Sequence, residues 1–109
     1  MPSVAVIGAS NDRSKWGNKS VRAFQQRGFK VYPVHPISEV PERPEMVTVY
    51  VRPQVLLKLL PDIAAKGCDK LWLNPGTESD QVLAEAERLH LNAIQACSII
   101  GIGVSPGSL

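Results

Sequence analysis

Residues 3–18 read Ser3-Val4-Ala5-Val6-Ile7-Gly8-Ala9-Ser10-Asn11-Asp12-Arg13-Ser14-Lys15-Trp16-Gly17-Asn18. A short apolar, β-branched run stops at a glycine and a cluster of small polar residues. Such a run predicts a buried strand over 3–7 followed by a turn. Residues 18–27 then predict a helix, with Val21 and Phe24 on its inner face and Gly28 as its stop. Strand, turn and helix in this order begin a parallel α/β sheet.

The alternation continues outward from that unit. Residues 30–35, Lys-Val-Tyr-Pro-Val-His, predict a second strand, which Pro33 pushes toward an edge. Residues 36–45 carry Pro36, Pro41 and Pro44 and read as a loop. Residues 46–51, Met-Val-Thr-Val-Tyr-Val, predict a third strand. Pro53 suits the first position of a helix, where its missing N–H is no loss. Leu56, Leu59, Leu60 and Ile63 form one apolar face of that helix, Pro61 should kink it, and Gly67 should end it. Leu71-Trp72-Leu73 marks a fourth strand, and Pro75-Gly76 a turn. Thr77-x-x-Asp80 predicts a capping box for a helix with Val82, Leu83, Ala86 and Leu89 inside. Residues 92–96 predict a fifth strand, while 98–109 carry no clear signal. The expected fold is α/β, a three-layer Rossmann-like arrangement with a parallel five-stranded sheet in the order 3-2-1-4-5.

The 109 residues suit one domain, 1–109, with a core that needs neither disulfide nor metal. They leave no room for a second catalytic domain. No apolar stretch approaches the ~18 residues of a membrane span. The first residues lack the features of a secretory signal, and Cys68 and Cys97 make no disulfide framework, so a cytoplasmic location with reduced thiols is expected. A net charge of +2 is too small to indicate nucleic acid, and 6% aromatic content argues against a single-strand surface. His35 and His90 are too few and too isolated for a metal site. Ser10 lies in no nucleophile elbow.

Ligands of such sheets bind beyond the carboxyl ends of the strands. The candidate lining is therefore 8–17, 34–36, 50–53, 74–76 and 96–99. The first loop matches neither G-x-G-x-x-G nor the P-loop pattern. Its chemistry still suits a phosphate. Gly8 permits close approach, Ser10 offers a hydroxyl, and the loop runs into a helix N-terminus that favours anions. Arg13, Lys15 and Arg52 could add positive charge, although surface cations ordinarily serve only solubility. The second strand ends in Val34-His35-Pro36, without the acid that NAD domains place on the ribose, which disfavours NAD. Cys97 reads more readily as a small buried hydrophobe than as a reactive thiol. Trp16 and Trp72 read as packing residues.

Several motifs in register resemble the small stand-alone CoA-binding proteins, which are similar to the CoA-binding domain of the succinyl-CoA synthetase α subunit. They are Val4-Ala5-Val6-Ile7-Gly8-Ala9-Ser10, Lys15-Trp16-Gly17-Asn18, Val31-Tyr32-Pro33-Val34-His35-Pro36, residues 46–51, Trp72-Leu73-Asn74-Pro75-Gly76-Thr77-Glu78-Ser79 and Gln95-Ala96-Cys97-Ser98-Ile99. The resemblance spans nearly the whole chain. It implies CoA or acyl-CoA as ligand, with Gly8, Ala9, Ser10 and Lys15 on the pyrophosphate. Val34 and Pro36 would flank the adenosine, with His35 a further contact and Val51, Arg52 and Pro53 over its other side. Asn74, Pro75, Gly76 and Cys97 would line the path of the pantetheine arm. Two departures stand out: His35 replaces the family's usual Asn, and the segment between the second and third strands is shorter. Parallel strands normally need a crossover of about a dozen residues, so this one is nearly minimal. The implied function is CoA binding without evident catalysis. The alternatives are the CoA-binding component of a split acyl-CoA ligase or transferase, or an NAD(P)-binding redox sensor. The expected partner is a small nucleotide-type molecule, with a homodimer or another protein chain left open.

Overall fold

In a computed structural model, residues 2–33 and 37–109 are described. Strands β1 Ser3–Ile7, β2 Lys30–Pro33, β3 Met46–Val49, β4 Lys70–Leu73 and β5 Ala93–Gln95 form one sheet with parallel pairings throughout. The order is β2-β1-β3-β4-β5, not 3-2-1-4-5. β3 pairs with β1, setting Val4 opposite Met46 and Ile7 opposite Val49.

Burial and Pro33 explain the corrected order. Pro33 has no N–H to offer a further neighbour, and β2 stays partly exposed, so it suits an edge. Val47, Thr48 and Val49 are fully buried, so β3 belongs at the centre of the sheet. The short link carries one 3-10 turn, Ile37–Glu39, where a loop was expected. Its Ile37 and the adjoining Val40 are buried against the same core as Leu56 and Leu60, covering the sheet where a crossover helix would lie.

Successive side chains of each strand point to opposite faces, and this sorts the layers. Val4 and Val6 meet Phe24 of α1, Trp16–Gln26. Phe24 also meets Phe29 edge-on, with ring centroids 5.0 Å apart. Ala5, Ile7, Val47, Val49, Leu71 and Leu73 face the other way. They pack on Leu56, Leu60 and Ile63 of α2, Pro53–Lys66, and on Val82 of α3, Asp80–Arg88. Burying each such aliphatic side chain contributes about 1.5–3 kcal/mol.

Residues 98–109 add α4, Ser98–Gly101, and a final 3-10 turn, Pro106–Ser108. Ile99 and Val104 pack on Ala23 of α1, and Arg27 donates to the Gly103 carbonyl. α2 contains Pro61 within it, as expected, with that residue exposed. Two local expectations change. α1 starts at Trp16, two positions before the predicted 18. α3 is capped by Ser79, whose hydroxyl accepts the Val82 N–H at 3.1 Å. The Thr77 hydroxyl instead donates to the Asn74 carbonyl at 2.7 Å.

Candidate functional site

Adjacent strands β1 and β3 lead into helices on opposite faces of the sheet, so the topological switch point lies between them. A cleft of about 360 Å³ opens there. The first loop supplies Gly8, Ser10, Lys15, Trp16 and Gly17; β3 leads into Tyr50, Val51 and Arg52; Pro75, Gly76 and Thr77 follow β4.

Two glycines make the first loop this tight. Gly8 has φ +94°, and a Cβ there would sit 3.0 Å from the Tyr50 carbonyl carbon. A Cβ on Gly17 would overlap the Gly8 carbonyl oxygen, so α1 can begin directly against the turn only without a side chain there. Local polar bonds then fix the loop. Ser10 Oγ accepts the Asp12 N–H at 3.0 Å. The Asp12 carboxylate accepts the Ser14 N–H at 2.9 Å and the Ser14 hydroxyl at 2.7 Å. Those two bonds hold the Asp12 carboxyl below its ordinary pKa. From α1, Asn18 donates to the Ser10 carbonyl at 2.7 Å, and Arg22 donates to Asn18 Oδ1 at 2.9 Å and to the Arg13 carbonyl at 2.8 Å.

The cleft is electropositive. Lys15 caps α1 through its backbone, Arg52 caps α2, and both line the cleft. The first turn of each helix leaves N–H groups without intrahelical partners and contains no acid. No carboxylate occurs among the described lining residues. The arrangement suits a phosphate-bearing ligand.

Two further hollows adjoin the cleft. One of about 260 Å³ shares Trp16, Tyr50 and Pro75 with it and adds Asn74, Cys97, Ile100 and Pro106. The other, about 300 Å³ on the β2 side of the first loop, is lined by Ala9, Ser10, Asn11, Asn18, Val21 and Pro33.

A buried polar cluster backs the far wall. Asn74 Nδ2 donates to Thr48 Oγ1 at 2.6 Å and to the Val49 carbonyl at 2.8 Å. Asn74 Oδ1 accepts the Ser98 N–H at 2.9 Å and the Ser98 hydroxyl at 3.0 Å. The hydrogen-bonding capacity of the amide is therefore filled. Ser98 Oγ also lies 2.8 Å from Thr48 Oγ1 and 3.1 Å from the Tyr50 hydroxyl. Burial raises the Tyr50 phenol pKa, and the neighbouring hydroxyls of Ser20, Ser98 and Thr48 oppose this only in part.

Of the residues singled out by sequence, Gly8, Ser10, Lys15, Val51, Arg52, Pro75 and Gly76 share the cleft. Ala9 lines the β2-side hollow, and Asn74 and Cys97 the hollow beyond Pro75. Arg13 and Pro53 line none of these spaces, although the Arg13 carbonyl anchors Arg22. Val34, His35 and Pro36 lie outside the described residues. Trp72 packs as expected, 7% exposed, whereas Trp16 is 51% exposed on the cleft and under Lys19 Nζ, 4.8 Å from its ring centroid. Arg22, Ile100 and Pro106 lie outside the motifs that carry the resemblance, and the parts of Asn18, Thr48 and Thr77, which lie within them, emerge only from the folded chain. No group of metal-ligating side chains occurs among the described residues, and no helix there is long and apolar enough to cross a membrane.

A family model described as CoA binding domain matches residues 2–102. Among solved structures, a conserved hypothetical protein of Pyrococcus furiosus is similar at 25% identity and a TM-score of 0.82, over 93% of this chain and 99% of that one. A Thermus thermophilus protein is similar at 21% identity and a TM-score of 0.83, over 91% of this chain and 86% of that one. The dinucleotide-forming acetyl-coenzyme A synthetase 1 of Ca. Korarchaeum cryptofilum has the same fold in one part, at 23% identity and a TM-score of 0.73, over 86% of this chain and 25% of that one. None of the curated proteins matches the chain.

Proposed function

The chain belongs to the CoA binding domain family, and we propose that it binds CoA or acyl-CoA across the carboxyl ends of its strands, without catalysis of its own. One observation carries this reading: an acid-free cleft at the switch point, charged by Lys15 and Arg52 and facing the N-termini of α1 and α2. The pyrophosphate lies over Gly8, Ala9 and Ser10, with Lys15 beside it and Arg52 on the opposite wall. The adenosine extends toward the hollow at the end of β2, and the pantetheine arm runs past Pro75 and Gly76 toward Cys97.

Calorimetry with CoA, 3′-dephospho-CoA and NAD tests the assignment. CoA should bind more tightly than NAD, and loss of the 3′-phosphate should weaken binding. No heat with millimolar CoA would overturn the reading. Lys15→Ala and Arg52→Ala should each weaken CoA binding by about tenfold, since a hydrogen bond to a charged group contributes about 1.5–3 kcal/mol. Unchanged affinity in both variants would remove them from the site.

A further inference from the structure

We propose that the hollow beyond Pro75 receives the acyl group of a thioester, so that the protein prefers acyl-CoA bearing a short, uncharged aliphatic chain to free CoA. This rests on the reading that the cleft binds CoA. The first support is continuity. The hollow shares Trp16, Tyr50 and Pro75 with the cleft, so the far end of a ligand lying in the cleft can enter it.

The second support is chemistry. Cys97, Ile100 and Pro106 complete the hollow, and none of the side chains lining it is charged. The Tyr50 hydroxyl is hydrogen-bonded to Ser98, and the Asn74 amide is fully engaged in the buried cluster. An aliphatic chain suits such walls. A carboxylate-bearing acyl group would lose water without gaining a cation from the lining. The third support is exposure. Trp16 and Ile100 are the large hydrophobic side chains left exposed among the described residues, 51% and 62% respectively, and both lie on this hollow. A free thiol would leave them largely wet, whereas an acyl chain would cover apolar surface on both partners.

The experiment compares affinities for CoA, butyryl-CoA and succinyl-CoA by calorimetry. Butyryl-CoA should bind about tenfold more tightly than CoA, near the lower end of what a methylene contributes in a closed pocket. Succinyl-CoA should bind no more tightly than CoA. Equal affinities for CoA and butyryl-CoA, or an equal gain for succinyl-CoA, would overturn the acyl assignment while leaving CoA binding intact. If none of the three binds, the underlying reading falls with it. Ile100→Gln provides a second arm, because the side chain is exposed, the change leaves the core untouched and no charge is added beside the cleft. It should abolish the butyryl advantage with the CoA affinity unchanged. A retained advantage would remove Ile100, and with it this wall, from the proposal.

Discussion

On one side of the cleft, Gly8, Ser10, Lys15 and Gly17 come from one short stretch, the link after β1 and the first turn of α1, held by bonds among near neighbours such as Asp12 and Ser14. On the other side, Thr48 within β3, Asn74 just after β4 and Ser98 at the start of α4 meet only in the folded chain. The first wall presents exposed cations and backbone; the second conceals its polar groups. Loss of an exposed cation, Lys15 on this side or Arg52 opposite, should therefore be felt mainly by the ligand, and loss of a concealed polar group mainly by the fold.

The sharpest way to break this contrast is Asn74→Ala. It strands the Val49 carbonyl and the Ser98 N–H in the interior, while the Thr48 and Ser98 hydroxyls keep each other, and each buried group left without a partner costs about 1–3 kcal/mol. The expected destabilisation is about 4 kcal/mol in urea unfolding. A loss below about 1 kcal/mol would show that the cluster is not what holds this wall. Gly17→Ala comes next. Its Cβ would meet the Gly8 carbonyl oxygen, a backbone atom that cannot swing aside, and such overpacking costs about 1–3 kcal/mol. Since α1 must shift, CoA affinity should fall as well. The double variant Lys15→Ala/Arg52→Ala should show the reverse pattern. Affinity should drop about a hundredfold if the two losses add, while the urea midpoint stays within error, as surface substitutions usually do.

The same contrast explains what was legible in the sequence. Residues 3–17 announce a strand, a turn and an anion-tolerant helix start because every interaction involved is local. The inner faces of α1, α2 and α3 follow from apolar spacing, as Phe24 and Leu56, Leu60 and Ile63 show. Strand order was not legible. It depends on β3 leaving β2 for β1, a choice made by burial of Val47 and Val49 and by the limits of a proline-bearing edge. Asn74 looks from sequence like a turn residue beside Pro75-Gly76, and nothing adjacent in the chain reveals its partners at Thr48 and Ser98. Trp16 reads as a packing residue because a large apolar side chain is ordinarily buried. Here α1 begins two positions earlier than expected and places Trp16 on the rim of the cleft.

Titration separates the two walls with the smallest effect. On the first wall, hydrogen bonds from Ser14 favour the ionised form of Asp12. The lowered pKa means that the loop's bonds are intact above the ordinary value of 3.8 and are lost as pH falls through the folded one. The Ser14 amide resonance should follow that acid transition. On the second wall, burial favours neutral Tyr50. Its contribution is intact below pH 10 and declines as pH rises beyond it, because the unfolded phenol ionises first. Cys68 acts with the same sign from outside the cleft: burial raises its thiol from 9.0 to about 11. Between those values it should cost about 1–2 kcal/mol of stability, after allowing for its partial exposure. Urea midpoints across pH 8–11.5 should therefore fall for the unmodified protein and fall less for Cys68→Ala, with Tyr50→Phe flattening only the part above about pH 10. An alkaline slope unchanged by Tyr50→Phe would mean that the phenol ionises equally easily in the folded and unfolded chains. The closed character assigned to the second wall would then fail at Tyr50.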